Sequence, residues 1–234
     1  LIAAISITGM AVAFPVCIGL ALVIGVGLSW WIEPAVPGAA LAAGAMLILA
    51  SMVMDGAAYR AMSSSTVVSK RGLVIAVVGG IFMGAFPPCL QKALVGPTAL
   101  DSYAAALVLA VGILACVVCT NYFLMRWPIA GGPAVTFSQY VRTSARFHVL
   151  GLASGVIWAT GTVCNFIAAG KVGMAVGYAF GAGGTLVAAL WGVFVWKEFR
   201  GAPLRAYVYL LAMFVLFIAG IVVIAYAKYS MMGA

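Results

Sequence analysis

Apolar residues run through this chain in long unbroken stretches with only short polar punctuation between them. The stretches cover approximately residues 8–32, 36–59, 72–94, 102–125, 148–170, 172–196 and 204–227. A helix needs about 20 mostly apolar residues to cross the hydrocarbon core, at about 1.5 Å of rise per residue. Every stretch meets that length. The runs are continuous, unlike the short alternating segments of a membrane β-barrel. Seven spans are therefore predicted, and residues 1–8 (LIAAISIT) read as the tail of a further helix. The two most polar connections are 60–71 and 126–147. Within the second, VTFSQYVRTSARF reads either as an interfacial helix with Arg142 and Arg146 among the headgroups or as plain loop.

Composition sharpens this picture. Of 234 residues, 66% are hydrophobic and 7% charged, whereas a soluble domain carries about 25% charged residues. So little polar surface cannot coat a water-soluble globule. Five Cys are too sparse for a disulfide scaffold, and the hydrophobicity excludes disorder. The net charge of +8 suggests no nucleic-acid partner, because the basic residues lie between apolar runs and form no basic face. Their distribution instead sets an orientation. If the spans alternate, one side holds Arg60, Lys70, Arg71, Arg126, Arg142, Arg146, Lys197, Arg200 and Arg205, and the other holds Lys92, Lys171 and Lys228. Nine against three follows the positive-inside rule. Loops 60–71, 126–147 and 197–203 are then expected in the cytoplasm, and the C-terminus outside it, in a multi-pass protein of the cell or inner membrane.

The chain also resembles itself. Gly9-Met10-Ala11-Val12 recurs as Gly173-Met174-Ala175-Val176. Each copy leads into an apolar helix ending in Trp, one residue and Glu: Trp31-Ile32-Glu33 and Trp196-Lys197-Glu198. A further apolar helix follows each, starting near Pro37 or Pro203. The copies lie five helices apart, and an odd separation reverses direction across the bilayer. Inverted repeats of this kind underlie many secondary transporters, whose substrate site sits near the midplane between the halves. The expected organisation is an N-terminal repeat remnant at 1–59, an inter-repeat linker at 60–71 and a C-terminal five-helix repeat at 72–234. By this symmetry a complete protein has ten helices, and the chain lacks about the first two and a half.

Two segments carry a family likeness: CNFIAAGKVGMAVGYAFGAGGTLVAALWGVFVWKEFRGAP (164–203) and GGIFMGAFPPCLQKAL (79–94). They resemble the drug/metabolite transporter superfamily, and within it the ureide permease and related glucose and rhamnose porter branch. The likeness is clear over 72–227 and extends weakly to residue 8. The resemblance implies a ten-helix basket with a central cavity, and a solute that is a ureide, nucleobase or sugar.

An enzyme needs titratable groups that converge. The chain has one His, two Asp and two Glu, nearly all at helix ends, and no metal-ligand spacing. Cys116-Val-Val-Cys119 reads as two small side chains one turn apart, and His148 as an interfacial residue. There is no GxxxxGK[ST] loop for ATP. Neither catalysis nor a cofactor is expected.

A carrier needs a hydrated pocket lined by small and hydrogen-bonding groups. Gly151, Ser154, Trp158, Thr162 and Asn165 recur at helical spacing and share a face. Asn165 against hydrocarbon would lose its hydrogen bonds, so it should face protein or cavity. The stripe on 72–94 is Gly80, Gly84, Pro87 or Pro88, and Gln91, with the paired prolines expected to kink or break the helix. On 172–196, Gly177, Tyr178, Gly181 and Thr185 lie together, and Phe14-Pro15 occupies the matching region of the first copy. The glycines also fit close helix packing, through Gly80-x-x-x-Gly84 and Gly177-x-x-x-Gly181. Lys92 either snorkels to the interface or faces the cavity. Asp55 is the only acid well inside an apolar run, a candidate for coupling to H+ or Na+ as well as for an interfacial acid near Arg60. Glu33 and Glu198 precede helix starts, where the helix dipole favours an anion.

The sequence thus predicts an all-α polytopic carrier for a small polar solute, working by alternating access between inverted halves. Trp158 and Tyr178 would stack on the solute while Asn165, Gln91, Thr162 and Thr185 meet its polar edges. An exporter of hydrophobic drugs or metabolites and a non-transporting scaffold or fragment are the alternatives.

Overall fold

The computed structural model describes residues 1–8, 10–34, 36–62, 69–97, 99–129 and 131–232. Gly9 of the first GMAV copy and positions 63–68 of the linker lie outside the described residues, as does the side chain of Phe14. The described residues form ten helices: α1 (Ile2–Thr8), α2 (Met10–Ile32), α3 (Gly38–Met62), α4 (Lys70–Leu94), α5 (Ser102–Arg126), α6 (Phe137–Val141), α7 (Ala145–Val172), α8 (Met174–Gly181), α9 (Gly183–Phe194) and α10 (Leu204–Met232). Among the described residues, seven segments are long and apolar enough to cross a membrane, and they fall on the seven runs read from the pattern. The protein is a polytopic helical membrane protein.

Three local outcomes refine the expectations. The run at 172–196 is two helical segments, α8 and α9, separated at Ala182. The glycine-rich Gly181-Ala182-Gly183-Gly184 weakens helix propagation there. Conversely, α4 continues through Pro87 and Pro88, so the expected break is absent from its helical assignment. Both prolines are buried, and packing holds the helix together where the local preference would end it. Within the second polar connection, VTFSQYVRTSARF forms the short α6, whose Thr136 and Gln139 make a reciprocal capping box, before α7 begins at Ala145.

Small residues decide how the spans meet. Lipid supplies no hydrophobic drive between helices, so close van der Waals contact has to hold them. A Cβ on Gly80 would stand 2.7 Å from the Cys17 carbonyl oxygen, and one on Gly84 2.7 Å from Ile24 Cβ. These contacts advance together along both helices, so α2 and α4 run parallel. Helix α3 returns antiparallel to α2, with Gly19 facing Leu49 and Gly38 facing Trp30. Helix α10 lies antiparallel to α3, and at their crossing Gly44 and Gly220 are each 2.8 Å from the other's carbonyl oxygen, measured from an added Cβ. The main core forms between these helices and α8, from Leu22, Val26, Ile48, Val176, Phe217 and Ile224. A second cluster joins Ala58, Phe199, Leu210 and Met213. By contrast, Ala105 alone is buried on α5, which leaves nearly all of its apolar surface facing outward.

Candidate functional site

The polar groups of the spans collect in two places. The first lies where α2, α4, α7 and α8 meet. Proline has no N–H, so Pro87 leaves the carbonyl oxygen four residues earlier, on Met83, without its helical donor. The Tyr178 hydroxyl donates to that oxygen at 3.3 Å. The ring sits beside Gly25, where an added Cβ would stand 2.5 Å from Cε1 and 3.2 Å from Pro87 Cγ. One turn beyond Pro87, Gln91 is fully buried; its Nε2 donates to Glu33 Oε2 at 3.0 Å, while its Oε1 has no partner. Asn165 Nδ2 donates to the Gly177 carbonyl at 2.9 Å. This bond ties α7 to α8 across the turn at Gly173, whose φ of 90° favours glycine. A Cβ on Gly181 would lie 3.3 Å from the same amide nitrogen, and one on Gly177 3.2 Å from Ala169 Cβ.

The second place lies on α3. Ser51, Asp55 and Tyr59 recur at four-residue steps and so form one polar stripe along the helix. Ser51 is fully buried and Asp55 half-buried, with its Oδ1 enclosed and unpartnered. Tyr59 Oη donates to Glu198 Oε2 at 2.8 Å, joining the end of α3 to the turn before α10. Asp55, Ser51 and Thr185 line a small cavity with Pro15, Met52, Met213 and Phe217. A wider groove of about 410 Å³ between Pro37 and Ser230 is apolar and opens past exposed Val222 and Tyr226. It offers little to orient a polar solute, so we centre the site on the interior polar groups.

Of the residues singled out from sequence, Tyr178, Pro87, Gln91, Asn165, Gly177 and Gly181 are thus drawn into one neighbourhood. Asp55 and Thr185 share the second. Pro88 is buried beside Pro87, and Gly80 and Gly84 form the α2–α4 contact. Trp158 is 57% exposed on α7, and the Thr162 hydroxyl donates to the Trp158 carbonyl within the same helix. Lys92 is exposed at the end of α4. Sequence reasoning passed over Ser51 and Tyr59, although their four-residue spacing around Asp55 was a usable signal. It also treated Glu33 and Glu198 as helix-dipole partners only, whereas each accepts a hydrogen bond from a side chain on a distant helix. The two glutamates stand at opposite ends of α3: Glu33 precedes its start, and Glu198 meets Tyr59 near its finish.

The ureide permease family model matches residues 44–227. The chain belongs to the ureide permease family. No solved structure matches it. Membership implies that this permease is a transporter of ureide-like solutes, consistent with seven helices able to span a bilayer. In this permease the matched span takes in most of α3 and all of α4 to α9, and therefore both polar neighbourhoods except their α2 residues and Glu33.

Proposed function

We propose that this permease is a secondary carrier that moves a ureide, nucleobase or sugar by alternating access between two inverted halves. The observation that carries the reading is the position of Glu33 and Glu198 at opposite ends of α3. Two Trp-x-Glu helix ends with the same sequence layout thus point to opposite ends of the bundle, as inverted copies require. The halves are residues 1–59 and 72–234, with 60–71 as the linker between them. Tyr59 meets Glu198, so loops 60–71 and 197–203 share one end, and their basic residues favour the cytoplasm. The C-terminus then lies on the outer side.

The solute site is formed by the face of α7 that carries Trp158, Thr162 and Asn165, together with Tyr178 and Gln91; Phe14 is assigned to it by its matching position in the first sequence copy. Gln91 brings a buried carbonyl oxygen with no partner, an acceptor for a solute N–H or O–H. Asn165 contributes its second amide N–H as a donor, Tyr178 the lone pairs of its hydroxyl oxygen as acceptors, and aromatic rings provide faces for a planar ring or a sugar. Together these groups match a solute rich in amide or hydroxyl groups. The two bonds at Met83 and Gly177 hold α8 against α4 and α7, and their rearrangement accompanies the switch of access. Asp55 is the coupling acid, and Lys92 marks the outer mouth.

The test is uptake in cells lacking their own carriers. Labelled allantoin, uracil and glucose are supplied separately, and each is competed by the other two. Saturable uptake of one, with its half-saturation concentration raised in the Gln91→Ala and Asn165→Ala variants, is the expected result. Absence of uptake for all three, with membrane expression intact, rejects the assignment of solute class.

A further inference from the structure

Gln91 is among the bulkiest side chains that the fold buries completely, and it is polar. Its two polar atoms are treated differently. The amide Nε2 donates to Glu33 Oε2 at 3.0 Å, whereas Oε1 is enclosed and has no partner among the described residues. The turn beneath it offers nothing. A helical side chain lies over the preceding turn, which here is Pro87-Pro88 and has no N–H groups. A buried acceptor left without a donor costs stability, so its retention calls for a role.

Glu33 accounts for the direction in which that amide points. A carboxylate only accepts, so it draws the NH2 end of Gln91 and turns the carbonyl oxygen away. The two ends of an amide have nearly the same shape, and only their partners decide between the orientations. The carboxylate is itself well anchored. Glu33 follows the last residue of α2, and its N–H donates to the Ser29 carbonyl at 3.0 Å. Across the same turn Trp30 Nε1 donates to the Val36 carbonyl at 2.8 Å, and a Cβ on Gly38 would stand 2.7 Å from that indole. Glu33 is exposed, so its charge keeps its hydration while the amide it holds is buried.

We infer that Glu33 is a positioning residue of the solute site: it holds the Gln91 amide with its oxygen inward, and so selects solutes that offer an N–H at that point, as a ureide ring does. Reversing the charge at position 33 should then reverse the amide. Glu33→Lys replaces an acceptor by a donor, which would draw Oε1 outward and leave the NH2 end in the interior, unable to accept from a solute N–H. That Gln91 meets solute rests on the carrier reading above. That Glu33 sets its orientation does not.

The chain contains two glutamines, Gln91 and Gln139. Glutamine isotope-labelled in its side-chain carbonyl therefore gives two infrared bands in the purified full chain in detergent, and Gln139→Ala assigns them. The Gln91 band should lie at the high frequency of an unbonded carbonyl and move down in Glu33→Lys, where the oxygen accepts from the ammonium. An unmoved band overturns the positioning. If Glu33→Lys does not fold, Glu33→Ala decides: with nothing to hold the NH2 end the band should spread to lower frequency, and a band identical to the parent's overturns the inference. Solute preference is read in cells by competing labelled allantoin uptake with hydantoin and with its N,N′-dimethyl derivative, which has no N–H. The ratio of their inhibition constants should favour hydantoin in the parent and be kept in Glu33→Asp. In Glu33→Lys it should fall roughly tenfold, the worth of about one net hydrogen bond. In a Gln91→Ala background Glu33→Lys should not alter the ratio further. A residue that only braced the turn would slow uptake and leave the ratio alone. An unchanged ratio, an equal change without Gln91, or failure of hydantoin to compete overturns the selectivity. A moved band without uptake of any solute rejects the carrier reading and keeps Glu33 as the group that orients Gln91, whereas uptake with an unmoved band does the reverse.

Discussion

Tyr178 on α8 donates its hydroxyl to the carbonyl oxygen of Met83 on α4, the oxygen that Pro87 leaves without a helical partner. A defect in one helix is thereby repaired by a side chain from another. In lipid no water stands ready to do this, so the contact couples α4 to α8 at the point where α2 also passes, at Gly25.

Tyr178→Phe should lower stability by about 1 kcal/mol, the net worth of one such hydrogen bond. In a Pro87→Ala background residue 87 recovers an N–H for Met83, and the loss on removing the hydroxyl should shrink. A double-mutant cycle by thermal unfolding in detergent measures the difference. Equal losses in both backgrounds would show that proline and tyrosine act independently.

Glycine packing gives a second expectation. A side chain at Gly84 would meet Ile24 Cβ at 2.7 Å and the Ala21 carbonyl oxygen at 3.0 Å, whereas nothing lies within 4 Å of Gly155. Gly84→Val should cost about 1–3 kcal/mol through overpacking of α2 against α4. Gly155→Val should leave the unfolding midpoint close to that of the parent.

Topology can be read by labelling. With Glu33→Cys and Glu198→Cys made separately in a background lacking the native cysteines, a membrane-impermeant maleimide should modify position 33 in intact cells. Position 198 should react only in inside-out vesicles. Modification of both from one side would refute the inverted arrangement.

The Asn165 amide donates to the Gly177 carbonyl and stands beside Gly181. Asn165→Ala should raise the half-saturation concentration for solute about tenfold, the equivalent of about 1.4 kcal/mol. Trp158→Ala should act in the same direction if the α7 face is the solute surface. Uptake kinetics that separate KM from kcat check both, and unchanged KM in both variants would remove α7 from the site.

Not all of this was readable from residues alone. Asp55 could be singled out because a charge inside an apolar run is conspicuous at any level of description. Ser51 and Tyr59, one turn to either side on the same helix, were not singled out, since serine and tyrosine are unremarkable in membrane helices. The partners of Glu33 and Glu198 were out of reach: Gln91 lies 58 residues from one, and Tyr59 139 residues from the other. Pro87 and Pro88 suggested a break that α4 does not make, because a local preference was overruled by burial against α2.

The run lengths of apolar residues determined, without any coordinates, that the chain is helical, that it crosses a membrane and roughly where each crossing begins. This follows from physics common to every bilayer: main-chain polar groups must be satisfied within the segment, and only a helix of about 20 residues does so over that thickness. Which helices touch, which carbonyl Tyr178 reaches and which oxygens gather around Asp55 were decided only in three dimensions. Lipid is as apolar as the side chains it surrounds, so hydrophobicity cannot choose between partners in the membrane. That choice falls to close fits such as Gly44 against Gly220, and to the few hydrogen bonds these fits allow.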